Sequence, residues 1–226
     1  NLCIAHKVRK LCYVSSIAAI GNQNISGQIT EESEWNPEEN NNVYAITKYG
    51  AELEVWRASQ EGLDTVIVNP GVILGAGIWR YGSGSLFKKA HKGLKYFTAG
   101  SMGLVDVEDV VSIMIALTNS AIKNERYILI AENWNYKDLL QAMAKSVKSN
   151  IPLKLASINL LRIGWRLDWL KHKIFGTRRM LTKHVATSLS SQKKYSNKKI
   201  IEHLNYNFKP IKESIKEVGE LYLKQA

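Results

Sequence analysis

Cysteine is scarce in this sequence, with two residues among 226. Two cysteines cannot form the disulfide framework of a small secreted domain, and Cys3 and Cys12 have no neighbouring ligands at metal-binding spacing. The five histidines also lack such spacing and have no partner acid, so none receives a catalytic role. We therefore expect two reduced thiols in a cytoplasmic protein without a bound metal.

Acidic residues and long apolar runs are scarce as well. Every apolar run is interrupted well before the roughly 18 residues that a membrane-spanning helix needs. Twenty acidic residues stand against 31 basic ones, which gives a net charge of +11. Such an excess can attract nucleic acid, acidic membranes or phosphate-bearing ligands. No recognised nucleic-acid module accompanies the charge, so we expect a solvated basic face and neither a nucleic-acid nor a membrane partner.

Short apolar runs typical of strands alternate along the sequence with longer segments that have helical periodicity. Lys10–Ser16 and Leu63–Asn69 are predicted strands, and Val43–Gln60 between them is a predicted helix. The β-branched run of the second strand is typical of a parallel sheet that is covered on both faces. Such sheets bind ligands beyond the carboxyl ends of their strands, where Ser16 and Pro70 lie. The sequence therefore predicts an α/β fold with a crevice at that edge.

Tyr44 and Lys48 give the predicted helix its chemistry. They are four residues apart, so both side chains leave one face of the helix. A phenol transfers protons near neutral pH only when its phenolate is favoured, and a cation one helical turn away favours it. A hydroxyl at a strand end, as in Ser16, can hold the reacting oxygen while Tyr44 gives or takes its proton.

These residues belong to an ordered set of motifs. Tyr44-xxx-Lys48 lies 28 residues after the Tyr13-Val14-Ser15-Ser16 strand end, and Asn69-Pro70-Gly71 and Val105-Asp106-Val107-Glu108-Asp109 follow it. In this order the motifs resemble the extended short-chain dehydrogenase/reductase family of NAD-dependent epimerase/dehydratase type. Within it, the chain is most similar to the dihydroflavonol-reductase-like and hydroxysteroid-dehydrogenase-like branch.

The resemblance implies a fold and a division of the chain. The implied fold is α/β, the C-terminal part of a Rossmann-like doubly wound parallel sheet with a smaller, mostly helical substrate lobe. Residues 1–150 would be the remaining part of the NAD(P)-binding domain, with a substrate loop at 71–100, and residues 151–226 the substrate-binding or lid lobe. The glycine-rich cradle of such a domain follows its first strand, whereas Lys10–Ser16 has the character of an interior strand. We therefore expect the first βα units to be missing.

The resemblance also implies roles for single residues. Ser16, Tyr44 and Lys48 are the implied catalytic residues. Tyr44 and Lys48 would also contact the cofactor, NAD or NADP, with Lys48 holding its ribose, and the implied cofactor contacts further along the chain are Pro70, Gly71 and Val72. The implied function is hydride transfer between nicotinamide and a carbonyl/alcohol pair of a small organic substrate, in a possible homodimer.

Two alternatives stay open. A nucleotide-sugar epimerase or dehydratase uses the same Ser, Tyr and Lys. Relatives that act on nucleotide-linked sugars commonly carry an Arg-Asp pair where this chain has Met102 and Gly103, which favours a ketone, aldehyde or alcohol without a diphosphate. The chain can also be a non-catalytic fragment that cannot bind cofactor alone.

Several local features carry expectations of their own. The glycines from Gly71 to Gly77 have the spacing of a phosphate cradle, but the following sequence predicts an irregular loop and not the helix that a cradle opens. Asp109 is predicted to cap a helix over Val110–Thr118. Leu53 is predicted to be one of the packing residues of the helix that carries Tyr44 and Lys48. Trp35 is expected either to border the pocket or to pin its loop to the body.

Ile158–Leu170 is predicted to form an amphipathic helix with Trp, Leu and Arg on its faces. We favour the lid of a substrate lobe, with its apolar side buried against the sheet domain. A basic aromatic helix of this kind can also lie on a membrane surface.

Overall fold

The computed structural model describes residues 1–22, 27–39, 41–177 and 181–225, without the side chain of residue 184. The described strands are β1 (Lys10–Val14), β2 (Asp64–Pro70), β3 (Val72–Leu74), β4 (Tyr96–Phe97), β5 (Ser101–Asp106), β6 (Glu125–Leu129), β7 (Glu132–Asn135) and β8 (Lys154–Leu155). The described α-helices are α1 (Leu2–Ala5), α2 (Val43–Gln60), α3 (Gly84–His91), α4 (Val107–Asn119), α5 (Tyr136–Ser146), α6 (Ile158–Phe175), α7 (Lys183–Ser188), α8 (Lys198–Leu204) and α9 (Ile211–Gln225). A 3₁₀ turn, Ile17–Ala19, follows β1.

The main sheet is parallel and has the strand order β1-β2-β6. Val14 at the end of β1 pairs with Val68, and Pro70 at the end of β2 pairs with Leu129. Because all three strands run in the same direction, their carboxyl ends meet at one edge of the sheet. The predicted α/β fold with a parallel sheet is confirmed.

Two smaller sheets complete the strand pairing. β3, β5 and β7 lie in that order, and Val72 to Leu74 pair in parallel with Leu104 to Asp106. β4 and β8 pair in parallel over two residues each.

Helix α2 begins and ends where the sequence predicts. The side chain of Asn42 accepts a hydrogen bond from the Ala45 amide at 2.8 Å, which satisfies one free N–H of the first turn. Gly62, just beyond the helix, has φ +95°, a conformation that favours glycine. The predicted packing of Leu53 is wrong, since this residue is 46% exposed while its neighbour Glu52 is buried.

The chain forms two compact packing units. The first comprises residues 1–75, 103–133 and 194–214, and the second comprises residues 76–102, 134–193 and 215–226. The core of the first unit joins the main sheet to α4 and α8 through Val66, Val68, Ile113, Tyr127 and Ile200. Inside the second unit, α3 packs on α5, and α6 packs on α7. The expected functional division near residue 150 stays a prediction.

Asp109 does not cap α4. The helix begins at Val107, and the side chain of Asp106 accepts from the Glu108 amide at 2.8 Å. Asp109 instead accepts from the Tyr206 hydroxyl at 2.8 Å and from the Lys209 amide at 3.1 Å. The prediction placed the helix start too late because the aspartates at both positions suit a cap, and only tertiary contacts distinguish them.

Gly71, directly after β2, allows a close approach of neighbouring chain segments. A side chain at Gly71 would lie 2.4 Å from the Gly103 carbonyl oxygen and 2.3 Å from the Ile130 side chain. β3 follows at once, and α3 begins only at Gly84. The expectation that no helix opens on this glycine run is met.

Candidate active site

Ser16 lies just beyond the end of β1. The Ser15 amide donates to the Val68 carbonyl at 2.8 Å, which continues the ladder between β1 and β2 for one more residue. Ser16 then opens the 3₁₀ turn, and its Oγ accepts a hydrogen bond from the Ala18 amide at 3.1 Å. Because this bond uses an oxygen lone pair, the hydroxyl proton of Ser16 remains able to donate to a ligand.

Lys48 reaches the same strand end from α2. Its Nζ donates to the Val14 carbonyl at 2.9 Å and lies 5.3 Å from the centroid of the Tyr13 ring. An ammonium has three donors, so the bond to Val14 leaves donors for a ligand. The structure therefore brings the Lys48 cation to the strand end that carries Ser16, although this long-range contact is invisible in the sequence.

Tyr44 lies one turn before Lys48 in the first turns of α2. Its side chain is 57% exposed, so a ligand can reach the phenol. Helix α2 also packs against the Ile17–Ala19 turn, whose N-cap residue is Ser16. The sequence-predicted set of Ser16, Tyr44 and Lys48 thus lies on two elements in mutual contact, α2 and the turn.

A buried polar network supports this pair of elements. Asn69 Nδ2 donates to the Ser16 carbonyl at 3.0 Å and to Glu52 Oε2 at 2.8 Å. Arg126 Nη1 lies 3.3 Å from Glu52 Oε1, and its Nε donates to the Glu31 carbonyl at 2.8 Å. The side chain of Glu52 is 2% exposed, so its charge depends on these partners.

Sequence reasoning missed Glu52 and Arg126 as supporting residues. A glutamate within a helix is ordinarily solvated, and the partner arginine is 74 residues further along the chain. In the sequence, Asn69 stands out only as part of the Asn69-Pro70-Gly71 motif. Its position at the end of a buried strand, next to Pro70, was the signal available for a positioning role.

Two buried oxygen atoms beside Ser16 have no hydrogen-bond partner within the described residues. They are Ser15 Oγ and Asn69 Oδ1. A buried polar atom without a partner costs free energy, so the hydrogen-bonding groups at this strand end are not all satisfied by the described residues.

The three other predicted cofactor residues lie at the same edge of the sheet or just beyond it. Pro70 is buried and is the last residue of β2, whereas Gly71 and Val72 are half-buried. The Gly71 amide donates to the Leu129 carbonyl at 3.2 Å, so this backbone donor is already used by the sheet. Their contact with a cofactor stays a prediction.

Among the described residues, no three side chains form a group able to hold a metal ion. The side chain of residue 184 is not among the described parts of the chain. His172 contacts the Thr177 carbonyl, and His203 contacts the Tyr127 hydroxyl at 2.8 Å. Both cysteines are free thiols. Among the described residues, no helix combines the length and apolar character needed to cross a bilayer.

Comparison with known proteins identifies the class to which this fold and site belong. The model of the NAD dependent epimerase/dehydratase family matches residues 1–131. The chain belongs to this family, as the ordered motifs predict.

Two curated relatives are similar over part of their length. Sterol demethylase protein B of Methylococcus capsulatus is 30% identical over 138 residues, which are 59% of this chain and 41% of the relative. A putative dihydroflavonol 4-reductase of Synechocystis sp. is 29% identical over 160 residues, which are 66% of this chain and 46% of the relative. The chain thus matches less than half the length of each.

Solved structures share the fold over nearly the whole chain. A nucleoside-diphosphate-sugar epimerase from Pseudomonas aeruginosa has a TM-score of 0.82 at 17% identity, with 99% of this chain and 70% of that one covered. A UDP-glucose 4-epimerase from Thermus thermophilus in complex with NAD has a TM-score of 0.70 at 17% identity, with 97% and 66% covered. At these identities the likeness shows the fold alone.

Proposed function

We propose that this chain carries the proton-transfer residues of an NAD(P)-dependent oxidoreductase. Its substrate would be a small organic molecule with a carbonyl or alcohol group. The supporting observation is the bond from Lys48 Nζ to the Val14 carbonyl, which holds the cation of the Tyr-xxx-Lys helix at the strand end leading into Ser16. Membership of the NAD dependent epimerase/dehydratase family supports the same reading.

The donor set fits a nicotinamide dinucleotide. Lys48 has donors left for the hydroxyl groups of a ribose, and the exposed Tyr44 phenol can meet either a ribose hydroxyl or a substrate oxygen. Pro70, Gly71 and Val72 would border the nicotinamide. When bound, the cofactor supplies or accepts the hydride, while the protein contributes position and charge.

Each of the three polar side chains has a distinct task in this proposal. Tyr44 gives a proton to the substrate oxygen in reduction and takes it back in oxidation. Ser16 donates its hydroxyl proton to the same oxygen, since its Oγ already accepts from Ala18. Lys48 places a positive charge one turn from the phenol and holds the ribose.

The proposed substrate class rests on the residues at the positions where a relative would bind the diphosphate of a substrate. Relatives that act on nucleotide-linked sugars commonly carry an Arg-Asp pair, whose Arg meets the diphosphate, where this chain has Met102 and Gly103. The two curated relatives are named for a sterol demethylase protein and a dihydroflavonol reductase, both of which support a neutral organic substrate. A ketone, aldehyde or secondary alcohol on an apolar framework is therefore the proposed substrate.

The test uses protein expressed from the complete coding sequence, because the chain matches less than half the length of each of the two curated relatives. Oxidation of NADH and NADPH is followed by absorbance with a panel of ketones and aldehydes, and with nucleotide sugars as the comparison set. Net cofactor turnover with simple carbonyl compounds is the expected result. Product formation from nucleotide sugars alone, without net cofactor turnover, would replace this proposal with an epimerase or dehydratase.

A second measurement addresses the isolated chain. Titration of the 226-residue chain with NAD and NADP shows whether the residues present suffice for cofactor binding. Binding that weakens in a Lys48→Met variant is expected if Lys48 holds the ribose. A folded chain that binds neither dinucleotide would be a non-catalytic fragment on its own.

A further inference from the structure

Helix α6 exposes a row of large apolar side chains. Leu160, Ile163, Leu167, Leu170 and Ile174, here called the α6 stripe, are 43%, 56%, 60%, 45% and 62% exposed. Their spacing of three and four residues places them on one face of the helix, within an arc of about 80°. An exposed apolar row of this length on a folded protein marks an interaction surface.

The opposite side of α6 already has its partner. Leu161 is the one buried residue of the helix, and it packs with Ala186 of α7 while Trp165 and Leu181 cover it. Asp168, the only acidic residue of α6, accepts from the Leu181 amide at 3.1 Å on this side. The helix is thus anchored on α7. Leu161 is buried against α7, whereas the residues of the α6 stripe are exposed, so the predicted burial of the apolar side is wrong for the stripe.

Cations border the α6 stripe on both flanks. Arg162, Arg166 and Lys173 follow one edge of the stripe, Lys171 follows the other, and all four are exposed. Arg166 lies over the Trp165 ring at 4.8 Å, and Lys173 lies over the Trp169 ring at 5.4 Å. The surface is therefore an apolar row between basic borders.

We propose that the α6 stripe docks on an anionic lipid bilayer surface. An interfacial helix inserts its apolar face at the headgroup boundary while its basic residues meet the lipid charges. The 18-residue helix is about 27 Å long, so the whole row can lie in the plane of the bilayer. The net charge of +11 adds a long-range attraction to such a surface.

Charge argues against a second copy of the chain as the occupant. The spacing of the α6 stripe also suits a helix pair, in which charged residues beside the seam select the partner. Two copies would bring basic borders against basic borders, whereas an anionic bilayer neutralises them. This proposal does not depend on the catalytic one, and it replaces the expectation that the protein has no membrane partner.

The test is cosedimentation with vesicles. The protein is mixed with vesicles of phosphatidylcholine alone or of phosphatidylcholine and phosphatidylserine in equal parts. We expect binding to the anionic vesicles that is at least about tenfold tighter than binding to the neutral ones and that weakens as salt rises. A folded protein that sediments with neither vesicle would overturn the proposal.

Variants separate the contributions of the apolar row and the cations. The double variant Ile163→Glu, Leu167→Glu should lose at least about tenfold in affinity for anionic vesicles, because two apolar anchors become charged. Lys171→Gln with Lys173→Gln should weaken only the preference for the anionic vesicles. The matched control is Ile115→Glu, which changes an equally exposed residue, 58%, on α4 and should bind as the parent protein does.

Sedimentation velocity without lipid distinguishes the other occupant. The parent protein and the Ile163→Glu, Leu167→Glu variant should have the same mass in solution. If the parent is a dimer that the substitutions dissociate, and vesicle binding is unaffected, the stripe is a contact between copies and the bilayer proposal is wrong. Circular dichroism of each variant confirms that it is folded before it is compared.

Discussion

The side-chain amide of Asn69 lies 2.8 Å from the carboxylate of Glu52, and both residues are buried. The same amide nitrogen donates to the Ser16 carbonyl at 3.0 Å. Asn69 therefore ties the helix that carries Tyr44 and Lys48 to the backbone of the proposed catalytic serine. Rigid supporting contacts of this kind are what hold reacting groups in a fixed geometry.

Removal of the Glu52 carboxylate should destabilise the protein strongly. In Glu52→Ala, Arg126 loses a buried counter-charge and Asn69 loses an acceptor, for a cost of about 3 kcal/mol in the free energy of unfolding. Urea denaturation followed by circular dichroism measures it. Glu54→Ala is the control on the same helix, because the 70% exposed Glu54 pairs with Arg57 at the surface and should matter little. Equal losses in the two variants would contradict the supporting role of Glu52.

Much of the fold follows from local pattern, and the supporting network does not. The sequence predicts helix α2 with its observed bounds, and the features at its two ends, the Asn42 cap and the positive φ of Gly62, are local. The burial of Glu52 in place of Leu53 is a tertiary effect, set by Asn69 and Arg126 at 17 and 74 residues' separation. The contact of Asp109 with Tyr206, 97 residues away, is of the same kind, whereas the cap at Asp106 is a local bond from the Glu108 amide.

The candidate site divides in a similar way. Tyr44 and Lys48 could be placed on one helix face from their spacing, and Ser16 at a strand end from the apolar run before it. The contact of Lys48 with Val14 joins residues 34 apart in the sequence, and the bond from the Ala18 amide to Ser16 depends on a 3₁₀ turn that the sequence does not predict. The exposed face of α6 was mispredicted because periodicity shows that a helix has an apolar side and not what covers it.

Tyr44→Phe should abolish turnover in the intact protein. The change removes only the hydroxyl group, so the reaction loses its proton donor while cofactor binding, measured by fluorescence titration, stays close to that of the parent. A fall in kcat of at least about a hundredfold is expected for a general acid. The control is Tyr49→Phe on the same helix, whose ring stacks on Trp35 at a centroid distance of 4.4 Å and has no proposed chemical role. Retained turnover in Tyr44→Phe would remove Tyr44 from the mechanism.

Alanine substitution should lower the activity at Ser16 and leave it unchanged at the adjacent Ser15. Ser16→Ala removes the donor to the substrate oxygen and should lower kcat about a hundredfold. Ser15→Ala removes a buried hydroxyl that has no hydrogen-bond partner among the described residues, and it should leave activity intact, with an unfolding midpoint equal to or above that of the parent. Steady-state kinetics and thermal denaturation of both variants give the comparison. If Ser15→Ala were the inactive variant, the roles of the two hydroxyls would be exchanged.

Glu31 should make stability fall as pH rises from acid towards neutral. Burial raises the pKa of Glu31 above the ordinary 4.5, and this effect exceeds the opposing ones of the Ile128 amide and the charges of Lys199 and Arg126. Between the pKa of Glu31 in the unfolded chain and its higher pKa in the folded protein, the folded protein holds a proton that the unfolded chain has released. The free energy of unfolding therefore decreases with increasing pH.

Glu31→Gln tests this linkage because it keeps a carbonyl oxygen for the Ile128 amide, which bonds Glu31 Oε1 at 2.9 Å, and cannot ionise. Urea denaturation of the parent and the variant at a series of pH values from 4.5 upwards yields the difference in unfolding free energy. The unfolding free energy of the variant should rise relative to that of the parent as pH rises. A difference that is constant across the series would mean that Glu31 titrates alike in the folded and unfolded chains, and the burial of its carboxyl would then carry no pH dependence.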